Sequence, residues 1–173
     1  MINPNFKIVK GTNGKLPTMN YETDMGIDFY LAEDISIEPG QSVITDLGIT
    51  WDPRKTLSQD ELNGMDRSGI FLKISHFFSF FFKIGMVIQS RSGRAFNEGI
   101  ECTNAGVIDQ SYRANLKVKL YNAGKEGKKL KTGDKICQGI IYLVPNIVGV
   151  DILSQSKERG ENGFGSSDKR VEN

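Results

Sequence analysis

Short apolar runs, bounded by glycine, proline, asparagine or aspartate, recur along most of this chain. In the clearest run, residues 115–121, the apolar residues Leu116, Val118 and Leu120 alternate with lysine and tyrosine. This period of two predicts a strand with one buried and one solvated face. Similar runs predict further strands at residues 7–10, 26–32, 35–37, 42–50, 70–74, 80–89, 107–108, 135–143 and 151–153.

Turn residues separate several of these runs. Glu-Pro-Gly at residues 38–40 and Lys-Thr-Gly-Asp at residues 131–134 are typical of tight turns. Only residues 57–62 suggest a helix, with Ser58 as a candidate N-cap and Glu61 three residues later. Many short strands with almost no helical period predict an all-β fold, either an antiparallel barrel or a sandwich.

The most apolar stretch, residues 70–88, contains a cluster of phenylalanines between positions 77 and 82. Lys73 and Lys83 interrupt it, and a lysine at mid-membrane costs about 2.5–3.5 kcal/mol, so we expect no membrane span. We expect the phenylalanines to pack between subunits. The alternative is an exposed patch that binds a protein partner.

Composition narrows the classes of function. A length of 173 residues favours one domain, and a net charge of +1 gives no basic field for nucleic acid. The Met-Ile-Asn-Pro-Asn start lacks the pattern of a secretion signal, and the two cysteines show no metal-ligand spacing, so we expect a cytoplasmic protein, or one in the host cytoplasm if its origin is viral. The single histidine, His76, leaves acid–base chemistry to carboxylates.

The most specific chemical signal is residues 104–113, Asn-Ala-Gly-Val-Ile-Asp-Gln-Ser-Tyr-Arg. An apolar pair delivers Asp109 into a turn, and Tyr112 follows three residues later. A carboxylate so placed can take a proton from water, and the phenol ring offers a flat face to a sugar or a base. The same residues also suit a purely structural hairpin in which Asp109 caps a turn.

Two other segments have the composition of phosphate-binding sites. Residues 90–95, Ser-Arg-Ser-Gly-Arg-Ala, combine two arginines with a glycine, although a basic surface turn would have the same composition. The glycine-rich residues 154–173 suggest a mobile tail, yet Arg159 can pair with a terminal phosphate and Phe164 can stack on a base.

Five segments resemble, in order, the five motifs of the homotrimeric deoxyuridine triphosphate nucleotidohydrolases, or dUTPases. These segments are residues 25–29, 91–95, 106–113, 133–138 and 159–167. The match covers roughly residues 24–48 and 86–167. Each motif is short and unspecific, whereas five in the order of one family are a specific signal.

The resemblance implies a jelly-roll-like β-barrel that forms a homotrimer with active sites shared between subunits. Asp109 would activate the water that attacks the α-phosphorus of dUTP, giving dUMP and pyrophosphate and limiting uracil in DNA. Tyr112 would stack under the deoxyribose and exclude a 2′-hydroxyl, and Asp28 would support the site. The other implied contacts are Arg91, Ser92, Gly93 and Gln138 with phosphates, Thr103, Gly106, Val107 and Ile108 at the base end, and Arg159, Phe164, Gly165, Ser166 and Ser167 closing over γ-phosphate and base.

The same resemblance implies a magnesium ion held mainly by the triphosphate and water, with few or no direct protein ligands. The barrel domain would be residues 1–153, followed by the tail at 154–173. The spacing between the first two motifs is longer than is usual in the family, which predicts an insertion at about residues 52–80. This insertion is the expected place for an added protein partner.

Three positions depart from the family pattern. Thr103 stands where asparagine is frequent, Ser90 replaces a proline, and Arg94 replaces an apolar residue. The first of these departures bears on how the base is contacted.

Two alternatives share the fold. A dCTP deaminase would carry a catalytic glutamate on the strand after the hairpin, where this chain has Lys119, and a lysine cannot shuttle that proton. A regulatory or binding member of the fold would need no catalysis, but the chain keeps Asp109, Tyr112 and Arg159.

Overall fold

The computed structural model describes residues 5–53, 82–103, 106–147, 149 and 160–161. These residues form strands and one short helix, in the order β1 (Phe6–Ile8), β2 (Ile27–Tyr30), β3 (Ile35–Ile37), β4 (Ser42–Asp46), β5 (Ile49–Trp51), β6 (Phe82–Ser90), α1 (Ser92–Glu98), β7 (Ile100–Thr103), β8 (Val107–Ile108), β9 (Lys117–Asn122), β10 (Lys128–Leu130) and β11 (Lys135–Pro145).

The strands form antiparallel sheets. The largest has the order β2-β11-β6-β8, the second has the order β4-β9-β7, and two small sheets pair β1 with β5 and β10 with β3. In the largest sheet β11 pairs with β6 from Cys137–Ser90 to Pro145–Phe82. On its other side, Gln138 lies opposite Asp28 of β2. This register brings residues of three distant segments to one end of the sheet.

Side chains from both larger sheets share one core. Phe29 and Met86 come from one sheet, Val118 and Leu120 from the other, and all are almost completely buried. Burying each such side chain stabilises the fold by roughly 1.5–3 kcal/mol. The alternation predicted for residues 115–121 is confirmed, because Lys117 between the buried positions is exposed.

The strand predicted at residues 42–50 is wrong as one element, because the chain turns between β4 and β5. The Asp46 carboxylate accepts a hydrogen bond from the Gly48 backbone N–H at 2.7 Å. Gly48 has φ of +65°, a conformation that glycine adopts at little cost. An aspartate two residues before a glycine was the signal for this break.

Residues 92–98 form a helix that the sequence analysis did not predict, since it described residues 90–95 only as a candidate phosphate-binding segment or a basic surface turn. The helix ends at Gly99, which has a φ of +70°. The Gly99 backbone N–H donates to the Ala95 carbonyl and closes the last turn. Strands β7 and β10 were also missed. Both are short, and β10 is Lys-Lys-Leu, which carries almost no apolar signal.

The two predicted turns are confirmed. Gln41 N–H bonds to the Glu38 carbonyl at 3.0 Å, and Asp134 N–H bonds to the Lys131 carbonyl at 2.9 Å. At the second turn, the exposed Asp34 accepts hydrogen bonds from Lys131 Nζ and from the Thr132 backbone N–H and hydroxyl. The Lys131 bond, followed by the Thr132 bonds, lowers the pKa of Asp34 from 3.8 to about 2.

We expect the Asp34 carboxyl carbon, followed by NMR, to titrate with a midpoint near pH 2. Because the pKa is depressed on folding, the stabilisation is present above pH 3.8 and is lost as pH falls toward 2. Lys131→Met should move the midpoint up toward 3.8, whereas Lys125→Met, at an exposed position, should leave it in place. A parental midpoint near 3.8 would contradict the ion pair.

Several predictions concern residues outside the described ranges. These are the strands at 70–74 and 151–153, the helix at 57–62, the boundary at 153, and nearly all of the tail and of the insertion, and they stay predictions. In the part of the chain that the structure describes, no helix has the length and apolar character needed to cross a membrane.

Candidate active site

The residues expected to bind phosphate meet at one end of the largest sheet. Arg91 follows β6, Ser92 and Gly93 begin helix α1, and Gln138 lies on β11. They line a cavity of about 280 Å³ together with Asp28. Gln138 Nε2 donates to the Ser90 carbonyl at 3.1 Å, which fixes its side chain beside the Arg91 segment. We call this cavity the phosphate half.

Asp28 orients the cations of the phosphate half. Its side chain is about 10% exposed, and its two oxygens pair with Arg91 Nε at 2.8 Å and with Lys135 Nζ at 2.8 Å. These ion pairs neutralise Asp28 and leave the terminal guanidinium N–H groups of Arg91 able to donate to an anionic ligand. The sequence analysis predicted a supporting role for Asp28 but missed Lys135, although it lies within the fourth motif.

Arg94 joins the helix to the fourth motif. Its Nε donates to the Lys135 carbonyl at 3.0 Å, and its guanidinium pairs with Glu98 at 2.6 Å and with Asp134 at 3.4 Å. The arginine that departs from the family pattern therefore anchors α1, and with it Ser92 and Gly93, on the turn before β11. In the sequence, Glu98 four residues after Arg94 was the available signal for a helical ion pair.

The hairpin around Asp109 forms a second group of predicted site residues, which we call the base half. Strand β8 places Ile108 inward and leaves Val107 66% exposed. Gly106 has φ of +67°. The side-chain carbonyl of Gln110 accepts a bond from the Ile84 backbone N–H at 3.1 Å, which continues the pairing with β6 beyond β8. Asp109 is thus held at a defined edge of the sheet.

Tyr112 is buried under this hairpin. Its backbone N–H bonds to the Asp109 carbonyl at 3.1 Å, and its hydroxyl donates to the Asn115 carbonyl at 3.2 Å. Burial, followed by the charges of Asp46 and Glu161, raises the pKa of Tyr112. The phenol therefore keeps its proton at neutral pH and remains a hydrogen-bond donor.

Two contacts at the hairpin were not predicted from the sequence. Gly160 pairs with Tyr112 in an isolated parallel β-bridge. The Gly160 N–H donates to the Ser111 carbonyl at 3.1 Å, and the Gly160 carbonyl accepts from the Arg113 N–H at 2.7 Å. The Arg113 guanidinium pairs with Asp52 at 3.1 Å. The segment after β5 therefore begins beside the hairpin.

The phosphate half and the base half lie apart within one chain. Strand β8 pairs with β6 through Ile108–Met86 and Val107–Val87. Continuing this register places Asp109 beside Gly85, whereas Arg91 lies past the other end of β6. From residue 85 to residue 91 the strand rises about 20 Å at roughly 3.3 Å per residue. A single chain does not bring the two halves together.

Thr103, the remaining described candidate at the base end, is the last residue of β7 and pairs with Lys119 of β9. Lys119 is thus on the strand where a deaminase would need its glutamate. The other predicted contacts, Arg159, Phe164, Gly165, Ser166 and Ser167, lie outside the described residues and stay predictions.

Comparison with known proteins tests the family that the motifs predict. The family model for dUTPase matches residues 81–168. The deoxyuridine 5′-triphosphate nucleotidohydrolase of Zymomonas mobilis is 31% identical over 163 residues, which cover 93% of this chain and 93% of the relative. This chain belongs to the dUTPase family. The deoxyuridine 5′-triphosphate nucleotidohydrolase of Clostridium tetani is 30% identical over 168 residues, which cover 95% of this chain and 95% of the relative.

Solved structures of dUTPases share the fold. A Staphylococcus bacteriophage 80alpha dUTPase with dUpNHpp matches with a TM-score of 0.59 and 21% identity, over 95% of this chain and 98% of that chain. The EIAV dUTPase matches with a TM-score of 0.55 and 18% identity, over 88% and 97%. The expected all-β, jelly-roll-like fold of the dUTPase family is confirmed.

Proposed function

We propose that this chain is a dUTP diphosphatase, which hydrolyses dUTP to dUMP and pyrophosphate. Membership of the dUTPase family carries this conclusion, and the Arg91 held by Asp28 in the phosphate half supports it. The protein would then act in nucleotide metabolism in the cytoplasm.

The phosphate half would bind the triphosphate. Arg91 would donate from its guanidinium to phosphate oxygens while its Nε stays on Asp28. Ser92 and Gly93, at the start of α1, would offer a hydroxyl and backbone N–H groups to the same oxygens. Gln138 would contribute its amide. Phosphoryl transfer depends mainly on such positioning and charge neutralisation.

The base half would supply the nucleophile and the selectivity. Asp109 would accept a proton from the water that attacks the α-phosphorus. Val107 and Ile108 would read uracil through their backbone groups, with Thr103 and Gly106 near the base. Tyr112 would stack under the deoxyribose and exclude a 2′-hydroxyl.

The active site would then be shared between copies of the chain. Arg91 and the water held by Asp109 must act at the same phosphate, within about 3–4 Å, whereas one chain separates Asp109 from Arg91 by about 20 Å. The base half of one copy would therefore face the phosphate half of another. A cyclic homotrimer, in which each interface repeats the same pairing, provides this arrangement three times.

The described residues fit a magnesium ion that arrives with the nucleotide. Both oxygens of Asp28 are occupied by Arg91 and Lys135, so this carboxylate is not open to a metal. Magnesium bound to phosphate oxygens and water would lower the charge of the triphosphate. Arg91, Ser92 and Gln138 would orient the chelated phosphates in the cavity.

Two product assays on the purified protein test the function. With dUTP we expect release of pyrophosphate and dUMP, and with dCTP no release of ammonia. The position of Lys119 on β9 supports the second expectation, because a lysine cannot replace the proton-shuttling glutamate of a deaminase. Ammonia from dCTP, or no pyrophosphate from dUTP, would contradict the proposal.

We expect truncation after Lys157 to lower turnover of dUTP by at least about 10-fold. The truncation removes the residues that would close over the γ-phosphate and base, namely Arg159, Phe164, Gly165, Ser166 and Ser167. Loss of one charge-assisted hydrogen bond is enough for a decrease of about 10-fold. Truncation after Ser167 is the matched control and should retain activity. The rate constant under saturating dUTP measures both. Full activity of the shorter protein would rule out the tail as a clamp.

A further inference from the structure

Asp46, at the end of β4, makes two hydrogen bonds that leave its carboxylate in one orientation. Oδ1 accepts from the Gly48 backbone N–H at 2.7 Å, and Oδ2 accepts from Asn115 Nδ2 at 3.1 Å. The second bond spans a long distance in sequence and joins the β4–β5 turn to the segment after the hairpin. No motif of the sequence analysis contains either residue.

Asn115 in turn contacts Tyr112. Its backbone carbonyl accepts the hydrogen bond from the Tyr112 hydroxyl at 3.2 Å. Asn115 therefore holds Asp46 with its side chain and Tyr112 with its main chain. Tyr112 and Asn115 also line the same cavity, which has a volume of about 600 Å³.

The neighbouring backbone fixes the rest of this segment. The completely buried Leu116 donates its N–H to the Ile49 carbonyl and accepts from Leu47 N–H, both at 2.9 Å. The main chain is thus anchored immediately after Asn115. Before it, the Tyr112 main chain is bonded to the Asp109 carbonyl, while the Tyr112 ring is placed by its hydroxyl bond to Asn115 and by packing in the core. The Asp46–Asn115 bond is the side-chain link between the two anchors.

We propose that Asp46 and Asn115 are positioning residues that set the selectivity for deoxyribose over ribose by fixing the height of the Tyr112 ring. This inference rests on the proposed function, since it assigns the sugar contact to Tyr112. A ring that must exclude one hydroxyl has to be held to within a fraction of an oxygen diameter. The Asp46 carboxylate provides this because a hydrogen bond to a charged group is stronger than a neutral one.

Asn115→Asp tests the inference most directly. The substitution keeps the shape of the side chain, removes the donor and places a carboxylate against Asp46. We expect the ratio of kcat/KM for dUTP to kcat/KM for UTP to fall by about 10-fold, mainly through a lower KM for UTP. The double variant Asp46→Asn with Asn115→Asp exchanges donor and acceptor, and should restore the ratio to within about 3-fold of the parental value.

The exposed Asn13 provides a matched control, because Asn13→Asp makes the same change away from the hairpin and should leave the ratio unchanged. Melting temperatures of all variants separate a loss of fold from a loss of selectivity. The same selectivity is measured without turnover, by calorimetric binding of the α,β-imido analogues of dUTP and UTP.

The outcomes are distinguishable from failure of the proposed function. A parental protein that releases no pyrophosphate from dUTP contradicts the proposed activity. The ratio of the affinities for the dUTP and UTP analogues still tests the positioning role of Asp46 and Asn115. An Asn115→Asp protein with the parental ratio overturns the inference. So does a folded double variant that fails to regain selectivity, or a parent that binds both sugars equally.

Discussion

Replacing Asp109 by asparagine should reduce the rate of dUTP hydrolysis by about 10²–10⁴-fold, the range typical for loss of a general base. Asparagine keeps the size of the side chain and its place in the hairpin, where the Tyr112 N–H bonds to the residue's backbone carbonyl. It has no lone pair that can accept a proton from water near neutral pH. We therefore expect the chemical step to be lost while nucleotide binding is kept.

Single-turnover hydrolysis of dUTP measures the chemical step, and calorimetry with dUpNHpp measures binding. Asp34→Asn makes the same substitution at the exposed residue before β3, and should retain the parental rate. An Asp109→Asn protein that hydrolyses dUTP within a few-fold of the parent would exclude Asp109 as the base.

Mixing two inactive variants should restore activity, because the structure separates the two halves of the site. Asp109→Asn inactivates the base half, and Arg91→Ala inactivates the phosphate half. If each site pairs the base half of one copy with the phosphate half of another, random assembly leaves half of the base halves and half of the phosphate halves intact. About one site in four is then complete.

The two proteins are denatured together, refolded and assayed with dUTP, and each is also refolded alone. We expect about a quarter of the parental activity from the mixture and only the residual rates from the separate proteins. Gln138→Ala replaces Arg91→Ala if loss of the Asp28–Arg91 ion pair impairs folding. A mixture no more active than its components would show that the site is not shared.

Residues close together in sequence accounted for the predictions that succeeded. Strands β3 and β8 have the predicted bounds, and β9 has the predicted buried face, because alternation is a local property of the chain. The two tight turns followed from Pro-Gly in the first and Gly-Asp in the second. The five motifs are also local, so their order was enough to predict the family.

The predictions that failed depended on context outside the local pattern. Residues 42–50 contain enough apolar residues for one strand, yet the Asp46–Gly48 bond divides them. Helix α1 has few helix-forming signals and no side-chain N-cap bond, and its Arg94 is held by Lys135 and Asp134. These partners lie about 40 residues along the chain.

The sequence by itself determined the strand-rich architecture, the family and the identity of the chemical groups, since all three depend on residue types at short spacings. Only the tertiary structure decided how these groups are arranged. It showed that Asp28 holds both Arg91 and Lys135, that Asp46 reaches Asn115, and that the register of β6 and β8 separates Asp109 from Arg91. The physical reason is strand register: pairing between residues far apart in sequence sets which side chains meet, and no local pattern encodes that distance.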